Sequence, residues 1–532
     1  MNKFYTIVAL VLCACTAAKA DIRTALSEMQ NAMLYTDYFY VDSVNADQLA
    51  ENAIKGMLKE LDPHSTYLTK EEVKQMNEGL GGNFEGIGVR YQMENDTLLV
   101  INTVIGGPSE KVGVMAGDRI IAVNDTSIAG QKMSNKDIQR RLRGPKGTEV
   151  RVTVLREDDK IDFNITRDKI PLYSVDASYM AAKGIGYIKI SRFAQTTPIE
   201  VSEAIAKLTK QGLKHLIIDL QGNGGGYLES AVQLSSLFLQ RGEIVVYTEG
   251  RRESRKNHFA SQHTPFAGRL VVLTDEESAS SSEIFAGAIQ DWDRGVIVGR
   301  RSFGKGLVQR PIDLPSGAMI RLTIAHYYTP SGRCIQKPYK KGESEDYRKD
   351  LITRFKNGEY TSADSIHLPD SLKFLTNGKR TVYGGGGIMP DVFVPLDTTK
   401  MSKTHRNIVA RGTLNRWVLA YFRDHQKSLH AKFQNFEKFD AGFDITDEMF
   451  DSLVAQSRAD SINIDSAEIA TSAEIIKMQM KAYLANDLYE GGAYSRIMNR
   501  RVAAYKEAVE LISDEKRYNA ILQPKDETSA NN

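Results

Sequence analysis

The run Leu216-Ile217-Ile218-Asp219-Leu220, followed directly by Gly222-Asn223-Gly224-Gly225-Gly226, limits the fold more than any other stretch of the chain. A strand that is apolar at nearly every position has no solvent side, so both of its faces must be covered. Similar strands are expected at Gly186–Ile190, Ile244–Tyr247 and Leu270–Thr274, with helices at Pro198–Gln211 and Leu228–Leu239. This alternation from Ile170 to about Pro338 predicts an α/β core.

The glycine loop invites a nucleotide reading, which fails. Counted from Gly222, the last glycine of a G-x-G-x-x-G fingerprint would fall on Tyr227. Gly304-Lys305-Gly306 is no P-loop, since neither Ser nor Thr follows the lysine. The nine histidines include no His-Glu-x-x-His, so a zinc hydrolase has no support and no metal or cofactor is expected. What such a loop can do is offer backbone N–H groups to a developing oxyanion while letting substrate approach closely.

A second stretch, Ser278 to Gln309, carries the other chemistry. Ser278-Ala279-Ser280-Ser281-Ser282-Glu283 stands before a helical segment, and Gly304-Lys305-Gly306 with Gln309 closes it. A serine hydroxyl needs a base to become a nucleophile. A lysine can be that base if burial keeps its amine neutral, and Phe303, Leu307 and Val308 offer an apolar surround. The competing reading of these serines is helix capping.

With 532 residues the chain suggests roughly three or four domains. A net charge of +2 gives no support for nucleic-acid binding. Residues 1–20 read as a signal peptide: Lys3, an apolar run to Ala18, and Ala18-Lys19-Ala20 as the cleavage site. A second reading takes Leu12-Cys13-Ala14-Cys15 as a lipoprotein signal with Cys15 lipidated. Either leader predicts an exported protein, periplasmic or held on the outer side of the inner membrane. Cys334 is then the one remaining thiol, so no internal disulfide is expected.

Residues 21–81 show helical spacing, with Leu26, Met29, Met33 and Leu34 in one segment and Leu49, Ile54, Met57 and Leu61 in the next. They predict a small helical platform or dimerisation arm, with His64 in a turn. Residues 82–168 change to short strands, with Gly86-Ile87-Gly88-Val89, an Ala116-Gly117-Asp118 turn and a helix from Ser134 to Leu142. This order resembles a PDZ domain. The resemblance implies that backbone N–H groups of Gly86, Ile87, Gly88 and Val89 hold a peptide carboxylate beside an apolar pocket.

Taken together, the PDZ-like segment, Asp219–Gly226 and Ser278–Gln309 resemble the carboxyl-terminal processing peptidases, the S41 family of serine proteases. The likeness runs from about residue 35 to 340 and returns at Gly387-Ile388-Met389-Pro390-Asp391. It implies a multidomain α/β protein: a ClpP/crotonase-like protease core over 169–400, an inserted PDZ-like β domain over 82–168, and helical regions at both ends. It also implies Ser280 as nucleophile, Lys305 as base and Gln309 as its aligner, with an oxyanion hole from backbone N–H groups of Ser281 and of Gly225 or Gly226. Gly224 departs from the family's usual proline, which loosens the oxyanion loop, and Ser281 replaces the usual alanine. Asp291, near the end of the following helix, is read as supporting. Residues 337–380 read as a charged, irregular insertion, and 401–532 as a helical domain with a disordered tail from Lys525.

The implied partners are polypeptides with apolar free C-termini, a second copy through the helical regions, and an adaptor protein. The alternative from another class is a catalytically weak PDZ peptide-binding scaffold, against which stands the presence of all three catalytic side chains. A His-Asp-Ser protease carrying a PDZ would need a serine where Gly224 stands.

Overall fold

The computed structural model describes residues 22–524 other than 95, 263, 398 and 490. The leader, Cys15 and the tail from Lys525 lie outside the described residues. The chain divides into two compact units. The first holds the described residues up to Lys70 with Gln309–Thr323 and Tyr339–Arg348; the second holds the other described residues.

In the first unit the expected helices span Ile22–Phe39 and Ala46–Lys59. Asn45 caps the second of these through the N–H of Gln48. The helix Ile22–Phe39 buries none of its residues: Leu26, Tyr35 and Phe39 are 59%, 60% and 73% exposed. Asp62 organises the following turn, accepting from the N–H groups of His64 and Ser65 and from the hydroxyl of Thr323. His64 Nε2 meets the Tyr347 hydroxyl at 2.9 Å, which gives this histidine a structural place.

In the second unit the central sheet runs in the order Val175–Ala182, Ile185–Ile190, His215–Asp219, Leu270–Thr274, Val296–Gly299 and Val392–Phe393. Its first pair is antiparallel and the others are parallel. Side chains alternate across it. Leu216, Ile218 and Leu220 enter one core with Val201, Leu208, Leu234 and Phe285 from the helices Thr197–Thr209, Leu228–Ser236 and Ser281–Asp291. Ile217 enters the opposite core with Ala508, Leu511 and Ile512 from the helix Ala503–Ser513. The two-faced burial expected of this strand is therefore met by helices from distant parts of the chain.

The PDZ domain is tied at its base by Asn83–Gly86 pairing with Asp168–Pro171, which brings its entry and exit together. Between them lies a six-stranded antiparallel sheet with the helix Asn135–Leu142, capped by Ser134. Strand Glu149–Arg156 buries Val150, Val152 and Val154 and turns Glu149 and Arg151 outward, the period-two pattern of a one-sided strand.

The stretch expected to be irregular, 337–380, carries a helix at Ser344–Lys356 and a hairpin of Lys373–Leu375 with Thr381–Tyr383. Beyond it, helices between Lys403 and Met498 enclose a separate core containing Ile408, Trp417, Phe439 and Leu484. In the helix Ser466–Leu488, of the helically spaced Ile475, Met478, Met480 and Leu484, the last two are buried as expected, whereas Ile475 and Met478 are half-buried and Ile476 takes the fully buried place between Ser472 and Met480.

Candidate active site

Ser280 stands at the entrance to the helix Ser281–Asp291, but not in the extended conformation usual for a cap. Its φ of 57° and ψ of −112° place it in a sparsely populated region for a residue with a Cβ. Such strain persists only where the surroundings fix it, and it is concentrated at functional sites. The surroundings here are specific. Ser278 Oγ donates to the carbonyl of Leu220 at 2.8 Å, Ser282 Oγ to that of Asn223 at 2.8 Å, and Ser281 Oγ to that of Gly226 at 3.0 Å. Three of the four serines thus fasten the helix start to the segment Leu220–Gly226, two of them to the glycine loop itself, and Ser280 Oγ donates to none of these carbonyls.

The glycine loop comes up against Ser280. A Cβ on Gly225, whose φ is 98°, would lie 2.8 Å from Ser280 Cβ and 2.7 Å from the carbonyl oxygen of Ala279. One on Gly226 would lie 2.1 Å from the carbonyl oxygen of Phe193. Both positions therefore require glycine. Gly224 is different: it has open space around it, so its departure from the family's proline follows from no steric demand. Among the expected oxyanion donors, the N–H of Gly225 donates to Asn223 Oδ1 at 2.9 Å. Ser281 occupies the first helical position, where backbone N–H groups have no partner within the helix.

Glu283 joins the serine to the lysine, a role that sequence reasoning missed. Its carboxylate is fully buried and accepts four hydrogen bonds. One oxygen takes the N–H of Ser280 and that of Lys305, each at 2.8 Å. The other takes the Ser302 hydroxyl at 2.6 Å and the N–H of Gly304 at 2.7 Å. Burial pushes this carboxyl above its ordinary range, while the four donors pull it back. Its sequence signal was only its position three residues after Ser280, which also reads as a capping pattern.

The lysine loop is held from further sides. Ile388 N–H donates to Ser302 Oγ, and Ser302 N–H to the carbonyl of Ile388. Arg354, which is 3% exposed, donates to the carbonyls of Ser302 and Arg301 at 3.0 and 2.8 Å. The segment expected to be a variable insertion therefore supports the candidate site. Phe303 presents its ring to Lys337, whose ammonium lies 3.9 Å from the centroid, and Leu307 is buried. Gln309 is half-buried on the strand Leu307–Asp313 and belongs to the first unit. Asp291 supports structure: it accepts from Arg333 and from the N–H of Ser331.

In the PDZ domain, Ile87, Gly88 and Val89 line a cavity of about 360 Å³ with Tyr91, Leu142 and Arg143. Gly86 does not line it and pairs with Asp168 in the strand at the base of the domain. Arg143 lies over the Phe84 ring and pairs with Glu78 at 2.6 Å. Among the described residues no group of His, Cys, Asp and Glu could hold a metal ion, and no helix is long and apolar enough to cross a membrane.

An α/β core with a strained serine, a glycine loop and an embedded PDZ domain defines a protein of the S41 peptidase type. Residues 184–347 match the model of peptidase family S41 and residues 86–166 that of the PDZ domain. Residues 14–72 match the N-terminal domain of the activating protease CtpB, and 404–491 match a family of unknown function. The carboxy-terminal processing protease CtpB of Bacillus subtilis (strain 168) is 33% identical over 367 residues, covering 68% of this chain and 74% of that protein. The chain belongs to peptidase family S41. A probable CtpA-like serine protease of Staphylococcus aureus (strain MRSA252) is 36% identical over 313 residues, 58% of this chain; the chain spans 62% of that relative's length. Among solved structures, the photosystem II D1 C-terminal processing protease is 26% identical with a TM-score of 0.35, over 70% of this chain and 93% of that one.

Proposed function

We propose that this protein is a serine endopeptidase that processes exported polypeptides recognised by their C-termini. The observation that carries the reading is the exemption of Ser280. Its neighbours' hydroxyls are tied to the segment Leu220–Gly226, while its own backbone is fixed through Glu283 to the backbone of Lys305.

In this reading Lys305 takes the proton of Ser280 Oγ as the oxygen attacks the scissile carbonyl. The tetrahedral oxyanion is stabilised by the N–H of Ser281 and by the glycine loop, where Gly226 is favoured because the N–H of Gly225 is engaged by Asn223. The lysine then gives the proton to the leaving amine, and water hydrolyses the acyl-enzyme by the same route in reverse. Gln309, four residues beyond Lys305, aligns the amine without adding negative charge. The PDZ domain captures an apolar free C-terminus at Gly86–Val89. An exported location follows from the leader, with lipidation at Cys15 as the anchored variant. A homodimer is favoured by the exposed apolar side chains of Ile22–Phe39.

The test is hydrolysis of an unstructured polypeptide by the full chain and by the Ser280→Ala and Lys305→Ala variants. Each variant is expected to lose roughly three or more orders of magnitude in rate. Near-native hydrolysis by both would refute the assignment. An inactive native chain that still binds the peptide would favour the scaffold reading.

A further inference from the structure

The strand Thr97–Thr103 of the PDZ domain is apolar at Leu98, Leu99, Val100 and Ile101, and all four are buried. Leu98 and Val100 enter the core of the PDZ domain itself. Leu99 and Ile101 point to the other face, where an isolated PDZ domain would leave them in water. Here they form a cluster with Leu419, from the helix Thr413–Lys432. A strand covered on both faces needs a second layer, and the helical region supplies it.

The neighbouring strand Val89–Glu94 repeats the division. Val89, Tyr91 and Met93 pack against the domain's own core and, with Gln92, line its cavity. Arg90 and Glu94, of the opposite parity, reach the helical region. Arg90 pairs at 3.3 Å with Asp487, whose side chain is 4% exposed, and Glu94 pairs at 2.6 Å with Arg423. The strand with which a captured peptide would pair is therefore gripped from its outer side.

The helical region is in turn fastened to the protease core just beyond residue 491. Gly492 packs so closely on Ala177 that a Cβ would stand 2.3 Å from that of Ala177, and Asn499 donates to the Tyr179 hydroxyl at 2.8 Å. Ala177 and Tyr179 belong to the first strand of the central sheet.

We propose that the region matching a family of unknown function, residues 404–491, is an intramolecular seat for the PDZ domain, holding the peptide strand in one orientation relative to the core that carries Ser280. The seat stands on the fold and is independent of whether the peptidase reading holds.

The test measures the distance between nitroxide labels on the PDZ domain and on the core, by double electron–electron resonance in the full chain. Lys160 and Lys207, both exposed, are replaced by cysteine; the three native cysteines and Ser280 are replaced by Ser and Ala respectively. The seat predicts one narrow distance distribution, widened at least twofold by Leu419→Asp and to a smaller degree by Arg90→Glu. The second variant changes a half-exposed side chain, so it keeps the test decisive if Leu419→Asp disturbs the helical fold. A distribution already broad without the variants overturns the proposal, as does one left unchanged by Arg90→Glu and by a folded Leu419→Asp.

Discussion

The backbone N–H groups of Ser280 and Lys305 donate to the same oxygen of Glu283, each at 2.8 Å. Two segments twenty-five residues apart are thereby held on one buried acceptor. Replacing Glu283 by Gln keeps the shape but turns an NH₂ group toward one pair of donors. A buried donor left without a partner costs about 1–3 kcal/mol. Glu283→Gln is expected to lower kcat/KM roughly tenfold to hundredfold, measured on an unstructured peptide, with binding to the PDZ domain unchanged.

The glycine loop predicts a sharp contrast between adjacent positions. Gly225→Ala places a Cβ against Ala279 and Ser280 at a positive φ, so activity should fall at least about a hundredfold from displacement of the nucleophile alone. Gly224→Ala meets open space at an ordinary φ and is expected to leave activity intact, with a gain of roughly 0.4–1 kcal/mol in stability. Chemical denaturation and peptide hydrolysis on the two variants check this.

Arg354 reaches two successive carbonyls of the lysine loop with its two terminal nitrogens. Arg354→Ala leaves both carbonyls short of a donor and should reduce kcat about tenfold or more. Arg354→Lys is not expected to restore it, because a single ammonium does not reproduce the fork of a guanidinium. Steady-state kinetics on the pair of variants decide the point.

The Arg90–Asp487 pair carries a pH signature. Burial raises the Asp487 carboxyl, and Arg90 draws it back down. A carboxyl raised on folding favours the protonated native state, so its contribution to stability falls as pH rises from the unfolded carboxylate range through the folded value. Removing Arg90 raises it further and leaves a buried carboxylate unpaired at neutral pH. Arg90→Ala should therefore lower Tm by a few degrees at pH 7 and by less near pH 4, where the carboxyl takes up its proton. Equal losses at both pH values would count against the pairing.

What the sequence revealed and what it withheld follow from the range of each interaction. Ile217 and Ile218 announced a doubly covered strand because burial on both faces leaves its mark on consecutive residues. Ser280, Lys305 and the glycines could be singled out as candidates because they lie in compact motifs. The roles of Glu283 and Arg354 could not, because each is defined by partners brought near only by folding. A charged stretch around Arg354 looks like a solvated loop until the carbonyls it meets are known. The helix Ser466–Leu488 was legible in part: Met480 and Leu484 are buried as their spacing suggests, while neighbours on other sides bury Ile476 and Ala482 as well.

One face of the central sheet is closed by Ala504, Ala508, Leu511 and Ile512, and by Tyr518, whose hydroxyl bonds both the carbonyl and the N–H of Leu270. These residues are synthesised after all the strands they cover. Until they arrive, Ile217, Val271 and Val296 lack their cover, and the sheet that carries the glycine loop and the serine turn has one side open to water. Synthesis through Tyr518 is thus a condition for a settled active site, and the order of the segments itself delays a protease of this build from acting before that cover has emerged.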